Sequence, residues 1–175
     1  GAFTKPKATA MLGKLLDEKK INIVPDFYLQ QVDNNRKVLI SYDNREVPFD
    51  LLVSVPVNKG DDMVEASNLG DDDGLNFIPT DKHTLQSKKY ENMFVIGDAT
   101  NLPTSKAGSV AHFEADVLTE NILSYIIKEP LAASFDGHSN CFIETGYGKA
   151  TLIDFNYETE PLPGKFPFAK VGPMD

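Results

Sequence analysis

Apolar residues recur at helical spacing near the start of the chain, at Ala8, Met11, Leu12, Leu15 and Leu16, and Pro6 suits a first turn. This pattern predicts a helix over residues 7–19. Short apolar runs follow at 21–24, 27–32, 37–42, 46–48 and 51–55. Asp33-Asn34-Asn35 and Asp43-Asn44 separate them, and Asn and Asp tolerate the left-handed backbone that tight turns require. The expected half-domain is a helix, a strand, a three-stranded meander and a further buried strand. Its sheet edges are exposed unless another segment covers them.

Beyond an acidic, glycine-flanked stretch, residues 92–96 form a short apolar run that fits a buried parallel strand ended by Gly97. Residues 108–127 read as a helix whose apolar stripe is Val110, Phe113, Val117, Leu118, Ile122 and Ile126, with Pro130 soon after. Two more strands are expected at 139–144 and 149–156, joined by Gly146-Tyr147-Gly148, and the tail from Pro161 to Pro173 is proline-rich and extended. No internal repeat is visible.

Composition narrows the function classes. With 175 residues, 41% hydrophobic and 25% charged, the chain fits a globular class. A net charge of −9 argues against a nucleic-acid surface, which carries a basic footprint. The acidic cluster of Asp61, Asp62, Glu65, Asp71, Asp72 and Asp73 lacks the alternating ligands and closing Glu of a calcium loop, so a solvated loop is expected. A single cysteine, Cys141, rules out an intrachain disulfide. No run approaches the roughly 20 apolar residues of a membrane span.

Candidate chemistry centres on a strand, then Gly97-Asp98-Ala99-Thr100, then a loop and a long helix from about Gly108. A carboxylate at the carboxyl end of a parallel strand lies where open α/β sheets bind ligands. On these residues alone two readings stand: Asp98 accepts a ribityl hydroxyl, or it caps a turn. Cys141 on a strand is likewise either a small core residue or a reactive thiol. His83, His112 and His138 are scattered, and His138-x-x-Cys141 has no second cluster, so no metal site is expected. Gly146-Tyr147-Gly148 has Thr151 where a dinucleotide fingerprint needs glycine and is followed by an extended segment, which makes it a turn. No Gly-x-Gly-x-x-Gly occurs in the chain.

In context, the run from Phe94 through Gly97-Asp98 to Ala111 resembles the second FAD-binding motif of two-dinucleotide-domain flavoproteins. Its continuation, Leu102-Pro103-Thr104-Ser105-Lys106, is similar to the sulfide:quinone oxidoreductase family. Val53-Ser54-Val55-Pro56-Val57 resembles the strand returning to the FAD domain, Asn140-Cys141-Phe142 lies in a stretch resembling the family's redox segment, and Phe166-Pro167-Phe168 resembles the loop after it. The likeness covers nearly the whole chain. It implies an α/β, partial two-dinucleotide-domain (Rossmann-like, FAD/NAD(P)-binding) flavoprotein fold with a β-meander, whose N-terminal half lies outside the chain. Residues 1–56 would be the rear of the second, NAD-type domain, 57–130 the rear of the FAD domain, and 131–175 a redox and quinone-site segment.

The same resemblance implies a cofactor, FAD, and two substrates, sulfide and a membrane quinone. Gly97 and Asp98 would face the ribityl chain, and Lys106, Ala107 and Gly108 the pyrimidine end of the flavin ring. Cys141 would be the redox thiol, its partner cysteine coming from outside the chain, and Phe142 and Phe168 would line the quinone pocket. The full-length protein is expected at a membrane surface through parts absent here, while this stretch is expected to be soluble, inactive alone, weak in FAD binding and able to self-associate. The alternatives are a type II NADH:quinone oxidoreductase, the flavoprotein of flavocytochrome c sulfide dehydrogenase, and a non-catalytic binding module. The Cys141 segment and Leu102–Lys106 favour the sulfide enzyme over the NADH enzyme.

Overall fold

The structure is a computed structural model that describes residues 6–71, 74–158 and 173–174. It separates into two compact units, Met11–Val57 and a second one built from Gly1–Ala10 with Asn58–Asp175. Helix α1 spans Pro6–Glu18. It ends without glycine: Lys20 takes the left-handed conformation (φ 55°) and Ile21 N–H closes back onto the Leu16 carbonyl at 2.9 Å.

In the Met11–Val57 unit, β1 (Leu29–Asp33), β2 (Val38–Ser41) and β3 (Glu46–Pro48) form an antiparallel meander in that order. Its turns are made by the residues the sequence singles out. The Asp33 carboxylate accepts the backbone N–H groups of Asn35 and Arg36 at 3.0 Å each, and Asn44 sits at φ 63° between β2 and β3. The strands expected at 21–24 and 51–55 do not form: both segments are irregular, and Val53 and Val55 are 85% and 91% exposed. An apolar run becomes a strand only where another backbone takes its N–H and C=O groups, and no described strand lies along either segment.

The second unit holds a short helix α2 (Asp62–Ala66), the long α3 (Gly108–Ile126) and a second antiparallel sheet. That sheet runs β4 (Ser139–Gly146), β5 (Lys149–Phe155), β6 (Pro173–Met174). Asp61 caps α2 by accepting the Met63 N–H at 2.8 Å. The β4–β5 hairpin closes on Tyr147-Gly148, at φ 58° and 73°, the left-handed pair of a two-residue hairpin turn. One apolar core gathers Leu85, Leu102, Val110 and Phe135, with Phe113, Val117, Leu118 and Tyr157 against it; another gathers Val64, Ile78 and Val95.

The segment expected as a buried parallel strand, 92–96, makes an isolated antiparallel bridge between Phe94 and Gln86. Its hydrogen bonds run to the 85–87 segment, Val95 N–H to the Leu85 carbonyl at 2.9 Å and Ser87 N–H to the Met93 carbonyl at 2.8 Å. Parallel pairing appears just past it, at Thr100 with Ile78. Both named sheets are antiparallel, and the whole is a mixed α/β chain with small sheets.

Candidate functional site

The turn at Gly97–Ala99 is a single 3₁₀ turn entered from extended Ile96 (φ −133°, ψ 166°). Gly97 has φ 69°, a conformation costly for other residues, and so bends the chain sharply out of the core. Asp98 is exposed, and its carboxylate accepts no hydrogen bond from a described residue. Thr100 closes the turn from the other end, with its N–H 3.2 Å and its hydroxyl 2.9 Å from the Gly97 carbonyl.

Lys106 folds back on this turn. Its ammonium donates to the Asp98 carbonyl at 3.1 Å and to the Thr100 carbonyl at 2.5 Å, and lies 4.1 Å from the centre of the Phe77 ring. Burial holds its pKa below the usual lysine value, partly opposed by the negative charges of Asp98 and Glu114. Immediately after Lys106, α3 begins at Gly108 from Ala107, whose side chain offers no cap, and no acid occupies the first turn. The helix therefore presents uncapped N–H groups and the positive end of its dipole beside a cation.

Glu114 completes the turn from below and was not singled out by sequence reasoning. It is 0% exposed, and one of its oxygens accepts the Gly97 N–H at 2.6 Å. Its other oxygen, Oε1, is buried without a hydrogen-bond partner among the described residues. Burial raises its pKa above the ordinary carboxylate value, opposed by the Gly97 N–H and Lys106 and reinforced by Asp98. The available signal is positional: Glu114 falls one turn after Val110, within the helix's apolar stripe. Asn121, two turns on, is equally buried and ties α3 to the loops, donating to the Thr84 and Ala133 carbonyls at 2.9 Å each and accepting the Ala133 N–H at 3.1 Å.

The strand bearing Cys141 is fastened to the start of this helix. Ser109, the second residue of α3, donates its hydroxyl to the Asn140 carbonyl at 2.9 Å. Thr104 likewise donates to the Gly137 carbonyl at 3.3 Å. Cys141 itself is a half-buried free thiol facing Ile153 across the hairpin. Near it, His138 stacks on Phe113 of α3 (ring centres 4.0 Å apart, 11° between planes), and its Nε2 lies 2.9 Å from the buried Asp154 carboxylate. His83 is engaged by the Phe135 carbonyl at 3.0 Å. Among the described residues no group of three or more His, Cys, Asp or Glu side chains is placed to hold a metal, and no helix is long and apolar enough to cross a membrane.

Gly97, Asp98 and Lys106 are thus brought together, Ala107 and Gly108 continue directly into the helix, and Cys141 lies on a strand bonded to that helix. Phe142 is 59% exposed on the hairpin, and no ring contact joins it to the turn. Phe168 lies outside the described residues. Two surface clefts, one lined by Arg36, Phe49 and Asp50 and one by Gln86, Tyr125 and Leu131, involve none of these side chains.

No protein-family model matches the chain. It is 40% identical over 116 residues, 66% of its length, to the mitochondrial sulfide:quinone oxidoreductase of Schizosaccharomyces pombe. It is 31% identical over 161 residues, 90% of its length, to that of Dictyostelium discoideum, and 34% identical over 122 residues, 70% of its length, to that of Mus musculus. The chain spans 25%, 35% and 26% of those three proteins' own lengths. Among solved structures it is similar to the sulfide:quinone oxidoreductase of Aquifex aeolicus, with a TM-score of 0.71 at 16% identity over 86% of this chain and 38% of that one. It is similar in the same degree, TM-score 0.71 at 25% identity, to a chain in the mitochondrial ATP synthase of Tetrahymena thermophila, covering 86% of this chain and 37% of that one.

Proposed function

The chain belongs to the sulfide:quinone oxidoreductase family, and from that premise we propose that it furnishes the flavin-side turn and redox-cysteine strand of an FAD-dependent enzyme that oxidises sulfide and reduces a quinone. One observation carries this reading: the Ser109–Asn140 hydrogen bond, 2.9 Å long, joins the helix that starts beside Lys106 to the strand that bears Cys141. A thiol and an electropositive helix start on bonded elements suit electron transfer from sulfur to a flavin.

The donor set fits FAD. The exposed Asp98 carboxylate suits ribityl hydroxyls, and the uncapped start of α3 with Lys106 suits the electron-rich pyrimidine end of the ring. When bound, FAD supplies a two-electron acceptor able to hand the pair on to quinone. Gly97 and Asp98 hold the ribityl side, and Lys106, Ala107 and Gly108 stabilise negative charge on the ring. Sulfide attacks a disulfide or polysulfide bridge that includes Cys141. The new sulfur–sulfur bond forms on one cysteine as the old one breaks, and the other cysteine leaves as a thiolate carrying the electron pair. Its partner cysteine comes from outside these residues, since the chain holds one.

The same reading assigns residues 1–56 to the rear of an NAD-type domain, 57–130 to the rear of a Rossmann-like FAD domain, and 131–175 to the redox and quinone segment. Phe142 offers an exposed aromatic face to a flat quinone ring, and Phe168 is assigned beside it. A lipid-soluble quinone calls for the full-length protein to work at a membrane surface, and the relatives named mitochondrial support a mitochondrial setting for it. The likeness to a chain of an ATP synthase supports a second reading, a non-catalytic assembly role.

Anaerobic mixing of the full-length protein with sulfide or with NADH tests these readings through the flavin absorbance. Bleaching by sulfide and not by NADH is expected. Bleaching by NADH alone would establish the NADH:quinone reading, and bleaching by neither would favour the assembly role.

A further inference from the structure

The Glu114 carboxyl is fully buried in the second unit, and nothing in the flavin and sulfur chemistry above uses it. It is fully enclosed, yet among the described residues one hydrogen-bond donor reaches it, the Gly97 N–H at 2.6 Å on Oε2, while Oε1 is sealed from solvent with no partner among them. A buried carboxylate needs donors on both oxygens to offset its lost hydration, whereas a neutral carboxyl with one unpaired oxygen costs far less. The groups that bear on it electrostatically are Lys106 and Asp98 at the turn, which act in opposite directions, and the Tyr157 phenol, itself raised by burial and by Glu114. The Lys106 ammonium is directed at the Asp98 and Thr100 carbonyls, so its hydrogen bonds go to the turn and not to Glu114.

The turn is therefore gripped twice. Lys106 holds the carbonyls of Asp98 and Thr100 from one side, and Glu114 holds the N–H of Gly97 from the other. Gly97 adds no side-chain restraint of its own, so these bonds and the Thr100 closure fix the direction in which Asp98 leaves the chain. We propose that Glu114 is the positioning residue for Asp98, acting as a proton-bearing, neutral carboxyl that accepts the Gly97 N–H and sets the ribityl-binding turn. This deepens, and rests on, the flavin-side reading of Asp98.

The test uses the full-length, FAD-loaded protein and the FAD dissociation constant from recovery of flavin fluorescence, alongside thermal unfolding. Asp98→Ala is expected to weaken FAD about tenfold, the worth of one hydrogen bond to a charged group. Glu114→Leu, which keeps bulk but accepts nothing, is expected to weaken FAD several-fold, and Glu114→Gln, which keeps a neutral acceptor, to match wild type within about twofold. The infrared difference between wild type and Glu114→Gln at neutral pH is expected to show the carbonyl band of a protonated carboxyl. Should Glu114→Leu fail to fold, the glutamine variant and the infrared band decide alone.

A Glu114→Gln variant as weak in FAD as the Asp98 variant, or a carboxylate band in place of the carboxyl band, would overturn the neutral positioning role. So would a folded Glu114→Leu variant with unchanged FAD affinity. If Asp98→Ala leaves FAD binding intact, the flavin-side reading fails separately, whatever Glu114 does.

Discussion

Lys106 and Glu114 hold opposite sides of one turn, and their ionisation is shaped by the same burial. Glu114 has its folded pKa raised from an ordinary 4.5. The folded protein thus keeps a proton that the unfolded chain releases. The associated stability is complete below the unfolded value and is lost as pH rises through the folded one. Melting temperatures of wild type and Glu114→Gln should draw apart as pH climbs above 4.5, in favour of the glutamine variant; a constant gap would contradict a raised pKa. At this scale the sharp turn at Gly97-Asp98 ahead of the helix at Gly108 was legible, because such a turn shows in residue types. Glu114 was not, because an acid in an apolar stripe looks like a polar interruption until its burial is seen.

At the scale of elements, α3 and the hairpin carry the candidate site, and both elements were legible. The helix is set by an apolar stripe and closed by left-handed Lys128 (φ 62°) just before Pro130, and the hairpin is set by Tyr147-Gly148. The strands expected at 21–24 and 51–55, and the parallel pairing of 92–96, were misread for one reason. Apolar pattern states what wants burial, while a strand also needs a neighbouring backbone, which lies elsewhere in the chain or outside it. Two substitutions probe what anchors α3 and the hairpin. Asn121→Ala removes the bonds to Thr84 and Ala133 and should cost about 1–3 kcal/mol in urea unfolding, the penalty for stranded buried polar groups. Gly137, at φ 84°, leaves no room for a Cβ beside the Tyr157 ring, so Gly137→Ala should cost about 2 kcal/mol or more. Losses below about 0.5 kcal/mol would show that neither contact anchors the fold.

For the whole molecule, the absent dinucleotide fingerprint and the exposed apolar segment around Val53 and Val55 have separate consequences. Residues 1–175 expressed alone should lose FAD on dialysis, because the helix start at Gly108 offers the flavin ring a field but the chain offers the pyrophosphate no glycine-rich loop. Stoichiometric flavin retained in the spectrum would refute this. The same chain should self-associate in sedimentation experiments, and Val53→Lys with Val55→Lys should reduce that association; unchanged sedimentation would show that this segment is not the cause. Sulfide-dependent reduction of a soluble quinone by the full-length protein, wild type against Cys141→Ser, decides whether Cys141 carries sulfur chemistry or only packs on its strand. Wild type is expected to be active and the serine variant to lose about a hundredfold or more while FAD stays bound, since serine has no sulfur to enter the bridge or leave as a thiolate. A serine variant that still turns over sulfide at the wild-type rate would exclude Cys141 from the sulfur chemistry.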